Sequence, residues 1–127
     1  MGRNGSFVDN GGAGGILVGV DIKTGITNTN GRDEYGNSYI HHPDTHICLS
    51  GIQLPDFSEA MELAKSCSTL IAKVKYIGWD FAYTEQGWII VEGNGKSQVI
   101  GPQLTMQRGI RNEIQDILKK IGVRRVL

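Results

Sequence analysis

Two runs of aromatic and β-branched residues, Tyr76-Ile77-Gly78-Trp79-Asp80-Phe81-Ala82-Tyr83 and Trp88-Ile89-Ile90-Val91-Glu92, stand either side of the short polar stretch Thr84-Glu85-Gln86-Gly87. Residues of this kind favour a pleated, half-buried ribbon, and so short a connection leaves antiparallel pairing as the way for the two runs to meet. A hairpin closing symmetrically about Gln86 sets Tyr83 opposite Ile89, and the other pairs follow. Phe81 then faces Val91 and Trp79 faces Gly93 on one side of the sheet, while Asp80 faces Glu92 and Gly78 faces Asn94 on the other. The first side is apolar and predicts burial of Trp79, Phe81 and Val91 against a helix. The second sets two carboxylates in direct opposition, with a carboxamide two residues along the strand.

Opposed like charges destabilise a strand pair when nothing lies between them. Asp80, Glu92 and Asn94 offer hard oxygen donors with no histidine or cysteine among them, a set that suits Mg²⁺, or Mn²⁺ in its place, with water and nucleotide phosphates completing the shell. The residues by themselves also fit a plainer arrangement, a surface hairpin whose acids are merely solvated. Against that, Trp79, Phe81, Ile89, Ile90 and Val91 are very apolar for a peripheral ribbon, and Gly78 and Gly93 are expected to leave open backbone near the acids.

Upstream, Phe57, Ala60, Met61, Ala64, Cys67, Leu70, Ile71 and Val74 recur every three or four residues. They predict an amphipathic helix that starts at Asp56, with Glu59 completing a capping box and Cys67 inert on the buried stripe. Downstream, Met106, Ile110, Ile114, Ile117, Leu118 and Ile121 predict a second helix over 105–121, weakened by Gly109 and closed by Gly122. Ile16 to Ile22 reads as a buried strand ended by the turn Lys23-Thr24-Gly25, and 26–28 as a second short strand. Residues 29–55 carry Asn30-Gly31, Tyr35-Gly36, His42-Pro43-Asp44 and Leu54-Pro55, which predict loops with room for a hairpin. The expected fold class is α+β, an antiparallel sheet with an open metal face and two helices covering the other face.

Composition narrows the function classes. With 127 residues the chain fits one domain, and its 13 basic and 13 acidic residues give no excess positive field to draw it to nucleic acid or an anionic membrane. No apolar run approaches the roughly 20 residues of a membrane helix. Cys48 and Cys67, with no charged leader ahead of an apolar run, predict a reduced, cytoplasmic protein. Glycine supplies 18 of 127 residues, about twice the usual ~7%. Many crowd between Gly2 and Gly25, interleaved with Phe7, Val8, Ile16, Leu17 and Val18, which predicts ordered strand and loop rather than a linker. His41, His42 and His46 lie near Asp44, but adjacent strand histidines point to opposite sides, so a loop role at the substrate end of the cleft is favoured over a metal. No nucleophile elbow and no Cys-His pair suggests covalent catalysis.

Gly78-Trp79-Asp80 followed by Val91-Glu92-Gly93-Asn94 resembles the metal-binding signature of ATP-grasp enzymes. Its form is similar to that of the sugar-transfer-associated ATP-grasp family, related to the alpha-L-glutamate ligases. Arg3, Asp9-Asn10, Gly14-Gly15, Val20-Asp21, Thr24-Gly25, His42-Pro43-Asp44-Thr45, Gly51 and Leu54-Pro55 follow the same pattern in order, so the resemblance spans residues 3–104. It implies that Asp80, Glu92 and Asn94 are the metal ligands, with Glu92 bridging. It also implies that Arg3 acts in catalysis by offering a cation to phosphate or to an acyl phosphate. Asn10, in the glycine-rich turn, and Lys96, beside the metal site, are candidate nucleotide contacts. Gly95-Lys96-Ser97 imitates the end of a P-loop, but Ile90 stands where its first glycine belongs, and Gly101-Pro102 is expected to prevent a helix from receiving phosphate.

The reaction that the resemblance implies is phosphorylation of a small carboxylate by ATP, with Mg²⁺, followed by attack of an amine or other nucleophile on the acyl phosphate. The family's upstream half, with the lysines that hold the ATP phosphates and the hinge that receives adenine, is not visible in these residues. Residues 1–127 therefore read as a single partial domain, the C-terminal portion of an ATP-grasp domain, inactive alone and with a second copy of the chain as one way to cover its groove. The competing expectation is a non-catalytic ligand-binding or assembly module that keeps the half-fold without turnover.

Overall fold

Three of the four most deeply buried side chains among the described residues, Ile16, Asp33 and Leu49, come from the turn-rich first half of the chain, and the fourth is Cys67. The computed structural model describes residues 1–5, 14–74 and 76–122, and in it Ile16 and Leu49 are each 1% exposed, Thr27 2% and Asp33 0%. The expected strand over 16–22 is instead a set of single bridges, Leu17 to Arg32 and Val20 to Thr27. Side chains interrupt the ladder: the Gly19 amide donates to Thr29 Oγ1 at 2.7 Å. Asp21 Oδ1 accepts the amides of Lys23 and Thr24 at 2.8 and 3.0 Å, turning the chain at Ile22. The short strand expected over 26–28 is likewise reduced to bridges, with Ile26 meeting Gln53. The hairpin allowed for within 29–55 is present, β1 (Gly31–Arg32) pairing antiparallel with β2 (Ser38–Tyr39).

Helix α1 runs Phe57–Ser68 and buries Ala60 and Cys67. It stops six residues short of Val74, because hydroxyls near its end turn back onto carbonyls: Ser66 to Glu62, Ser68 to Lys65 and Thr69 to Ser66, at 3.0, 2.6 and 2.8 Å. Leu70 and Ile71, expected inward, are exposed. The expected capping box is absent. Asp56 takes a left-handed backbone with φ 44° and makes no cap with its side chain; its Oδ2 accepts the Tyr83 hydroxyl at 2.6 Å instead.

The hairpin is β3 (Gly78–Thr84) and β4 (Gly87–Asn94), with Gly78 opposite Asn94, Trp79 opposite Gly93 and Asp80 opposite Glu92, as the sequence predicts. Towards the turn the register differs by one residue: Phe81 lies opposite Ile90 and Tyr83 opposite Trp88, across an irregularity at Asp80/Phe81. The turn pairs Thr84 with Gly87, a register that would carry Val91 to Asp80, and the bulge at Val91 returns Glu92 to that place. The aromatic side is completed by Trp88 and Ile90 rather than by Ile89 and Val91.

Coverage of that side is narrower than expected. α1 meets the turn end, where Trp88 Nε1 donates to the Pro55 carbonyl at 2.9 Å and the Tyr83 and Trp88 rings pack edge to face at 5.2 Å. Trp79 and Phe81 are half-buried, and Val91 is 61% exposed, against the expectation of a buried trio. The predicted helix over 105–121 is two helices, α2 (Ile100–Met106) and α3 (Arg111–Lys120). Gln107 is left-handed at the break beside Gly109, Arg108 and Glu113 pair across it, and Ile110 is buried. α2 begins in the segment expected to resist helix, since Pro102 falls in its first turn, where the missing N–H has no helical partner to lose. It lies against β1. Among the described residues, three helices and two small antiparallel sheets make the fold α+β.

Candidate functional site

The polar face of the hairpin is set by the alternation of β3 and β4. Asp80 and Glu92 are register partners, which places their Cβ atoms roughly 5 Å apart. Asn94, two residues on from Glu92 and therefore on the same face, donates from Nδ2 to Glu92 Oε1 at 2.8 Å. A half-turn of that carboxamide would present its oxygen in place of the donor. All three side chains are exposed, so ligands from solvent can reach them. The backbone beside them is not open as expected: a Cβ on Gly93 would stand 2.6 Å from the Trp79 ring, and Ser97 fills the space beside Gly78. Glycine is required at 93 because Trp79 lies across it, which stiffens the strand that carries the acids.

Asp80, Glu92 and Asn94 are thus brought together. Lys96 is exposed in the turn after β4, two residues beyond Asn94. Asn10, and the glycine-rich turn from Asp9 to Ala13, lie outside the described residues. Among the described residues no three His, Cys, Asp or Glu side chains cluster as a metal site, so the acid pair needs the Asn94 oxygen to make a third donor.

Arg3 belongs to a different group. Its Nη1 donates to the Tyr39 hydroxyl at 2.6 Å and stands 3.5 Å from Asp33 Oδ2, with the guanidinium carbon 5.6 Å from the Tyr39 ring centre. Asp33 Oδ1 accepts the amides of Tyr35 and Asn37 at 3.0 and 2.9 Å, and Oδ2 accepts Asn37 Nδ2 and the Tyr39 hydroxyl at 2.9 and 3.0 Å. These donors, the Asn37 side chain foremost, lower the carboxyl from 3.8 to about 2 despite burial. Sequence reasoning passed over this group; the signal was an aspartate opening the Glu34-Tyr35-Gly36-Asn37 turn, where an Asx-type carboxylate collects amides. His42 is also built in: Nε2 bonds the Gly2 carbonyl at 2.7 Å, and Nδ1 accepts the amides of Asp44 and Thr45 at 3.3 and 3.4 Å. Both His42 ring nitrogens are engaged with backbone.

The family model described as sugar-transfer associated ATP-grasp matches residues 1–119. The chain belongs to the sugar-transfer associated ATP-grasp family. Searches of curated proteins and of solved structures each returned no significant match. As a member of this family the chain is of ATP-grasp, ligase-related type, and the family generally uses ATP with Mg²⁺ and takes a carboxylate as its further partner. No helix among the described residues is long and apolar enough to cross a membrane.

Proposed function

We propose that this sugar-transfer associated ATP-grasp chain supplies the metal face of a carboxylate ligase. In that reaction ATP phosphorylates a small carboxylate, and an amine or other nucleophile displaces phosphate from the acyl phosphate. The observation that carries the reading is the opposition of Asp80 and Glu92 with Asn94 bonded to Glu92 on one exposed face. Two carboxylates and a carboxamide fit Mg²⁺, which accepts one or two carboxylates and keeps places for water and phosphate oxygens. Bound there, Mg²⁺ would neutralise charge spread over the transferring phosphoryl oxygens. Glu92 would bridge, Asp80 and Asn94 would complete the protein's share of the shell, and Lys96 would approach the phosphates or an acidic substrate from the adjoining turn. Arg3 would meet the phosphoryl group or the acyl phosphate. An opposing half with phosphate-holding lysines and an adenine pocket completes the site in this reading, which makes residues 1–127 the C-terminal portion of the domain.

The direct test is Mn²⁺ titration followed by water-proton relaxation, comparing the protein with Glu92→Gln. The expected result is clearly weaker binding in the variant, and equal binding in both would overturn the site. Calorimetry with Mg²⁺-ATP and an ADP-release assay with amino-acid or sugar-acid substrates test the half-site assignment. Positioning supplies most of the rate in phosphoryl transfer, so this chain alone should bind weakly and turn over at well below a tenth of the rate of a complete site. Micromolar binding with sustained ADP production would show that residues 1–127 hold a complete site.

A further inference from the structure

Asp33 is a buried carboxylate whose hydrogen-bonding capacity is filled without Arg3. A carboxylate offers about four lone-pair positions, and the amides of Tyr35 and Asn37, the Asn37 side chain and the Tyr39 hydroxyl occupy them. Arg3 stands 3.5 Å away as an ion-pair partner and donates its hydrogen bond to the Tyr39 oxygen. The Tyr39 hydroxyl therefore joins the two, accepting from Arg3 and donating to Asp33. The Tyr39 ring, 5.6 Å from the guanidinium carbon, adds a cation–π contact. Ring, hydroxyl and carboxylate together fix the position and rotation of the guanidinium through one edge, Nη1.

The opposite edge, Nη2 with Nε, is the one that can grip two oxygens of a single anion. It faces Gly14, where a Cβ would lie 3.6 Å from Nη2 and 3.7 Å from Nε. With glycine at 14 no side chain from that position covers the edge, and the Arg3 side chain keeps 20% of its exposure. Among the described residues the Tyr39 hydroxyl is the hydrogen-bond acceptor for Arg3, and none of them accepts a hydrogen bond from the Nη2–Nε edge.

We infer that Asp33 and Tyr39 are positioning residues for Arg3, holding one edge of its guanidinium so that the other receives two oxygens of a phosphate-type anion. The inference rests on the proposed function, in which Arg3 meets a phosphoryl group. It explains why the position needs arginine: an ammonium could pair with Asp33 but could not also offer a planar fork to a ligand.

The test is titration of the whole chain with inorganic phosphate, followed by the ¹⁵N–¹H signal of the Arg3 Nε–H and by chemical shifts across the protein. Tyr39→Phe keeps the ring and removes the hydroxyl, so it should weaken phosphate binding on the order of tenfold, the loss of a charge-assisted bond, with the thermal midpoint little changed. Arg3→Lys, which keeps the charge, should bind as poorly as Arg3→Gln, and this comparison stands even where Tyr39→Phe fails to fold. Phosphate affinity retained in Arg3→Lys, or in a folded Tyr39→Phe, with binding lost in Arg3→Gln, overturns the positioning role alone. Affinity in Arg3→Gln equal to that of the unaltered protein, or no phosphate binding by the unaltered protein, overturns the part given to Arg3 in the proposed function as well.

Discussion

Residues 14–55 contain two strands of two residues each, yet they hold Ile16, Thr27, Asp33, His42 and Leu49 at 0–7% exposure. β3 and β4 form a far longer ladder and leave Ile89, Ile90 and Val91 at 41–61% exposure. The first region is ordered by side chains that each satisfy particular backbone groups: Thr29 on Gly19, Asp21 on its own turn, Asp33 on Tyr35 and Asn37, His42 on Asp44 and Thr45. The second is ordered by backbone pairing and by contacts at its turn end. Between these two regions regular structure and burial are therefore separated. Stability should be concentrated in the loops, while the face proposed for chemistry sits on a ribbon that contributes less to the core.

The largest effect expected from this contrast is in the core. Leu49→Ala should cost ~2–5 kcal/mol in denaturant unfolding, the range for truncating a fully buried leucine. Phe81→Ala should fall below the ~3–5 kcal/mol of a buried aromatic, because Phe81, expected from sequence to be buried, is only half-buried. A larger loss at Phe81 than at Leu49 would invert the comparison.

The next effect is acid sensitivity of the first region. Asp33 is lowered from 3.8 to about 2, so its contribution is complete above the unfolded value and is lost as pH falls through the folded one. Thermal unfolding midpoints should drop between about pH 4 and pH 2, and Asp33→Asn should flatten that part of the profile. An unchanged acid profile in the variant would remove Asp33 from the account.

The hairpin should respond at the other end of the scale. Tyr83 is raised above 10.0, first by its hydrogen bond to Asp56 and then by burial. A raised pKa contributes stability present below the unfolded value and lost as pH rises through the folded one. Trp88 fluorescence should therefore report loosening of the contact with α1 above about pH 10, and Tyr83→Phe should lack that step. The smallest effect is at the exposed bulge, where Val91→Thr should stay within about 0.5 kcal/mol in the same denaturant assay.

What could be read from sequence follows the same division. Period-two alternation gave the opposition of Asp80 and Glu92 and the common face of Asn94, because apolar and polar residues on these strands leave one phase for the end that carries the acids. The turn end was misjudged by one residue, since nothing in Trp88-Ile89-Ile90-Val91 marks which residue is left unpaired. The end of α1 and the break at Gln107 were hidden by apolar spacing that continues past both, while hydroxyl-to-carbonyl bonds and a left-handed residue decide the outcome. The Asp33 group escaped because Arg3, Asp33, Asn37 and Tyr39 have no period. Their meeting depends on the return of the chain start to β1 and β2.

The bulge at Val91 also bears on how this family's chains could differ in length. If Val91 were lost, Phe81–Ile90 and Asp80–Glu92 would become successive pairs of one continuous ladder. The acids would keep their common face, and Trp88 and Ile90 would keep theirs. A chain one residue longer in the same stretch has no such simple accommodation. It would need a three-residue turn or a second irregularity to bring its glutamate back opposite the aspartate. Relatives of this chain should accordingly show single-residue gaps, rather than insertions, just before the glutamate of the hairpin.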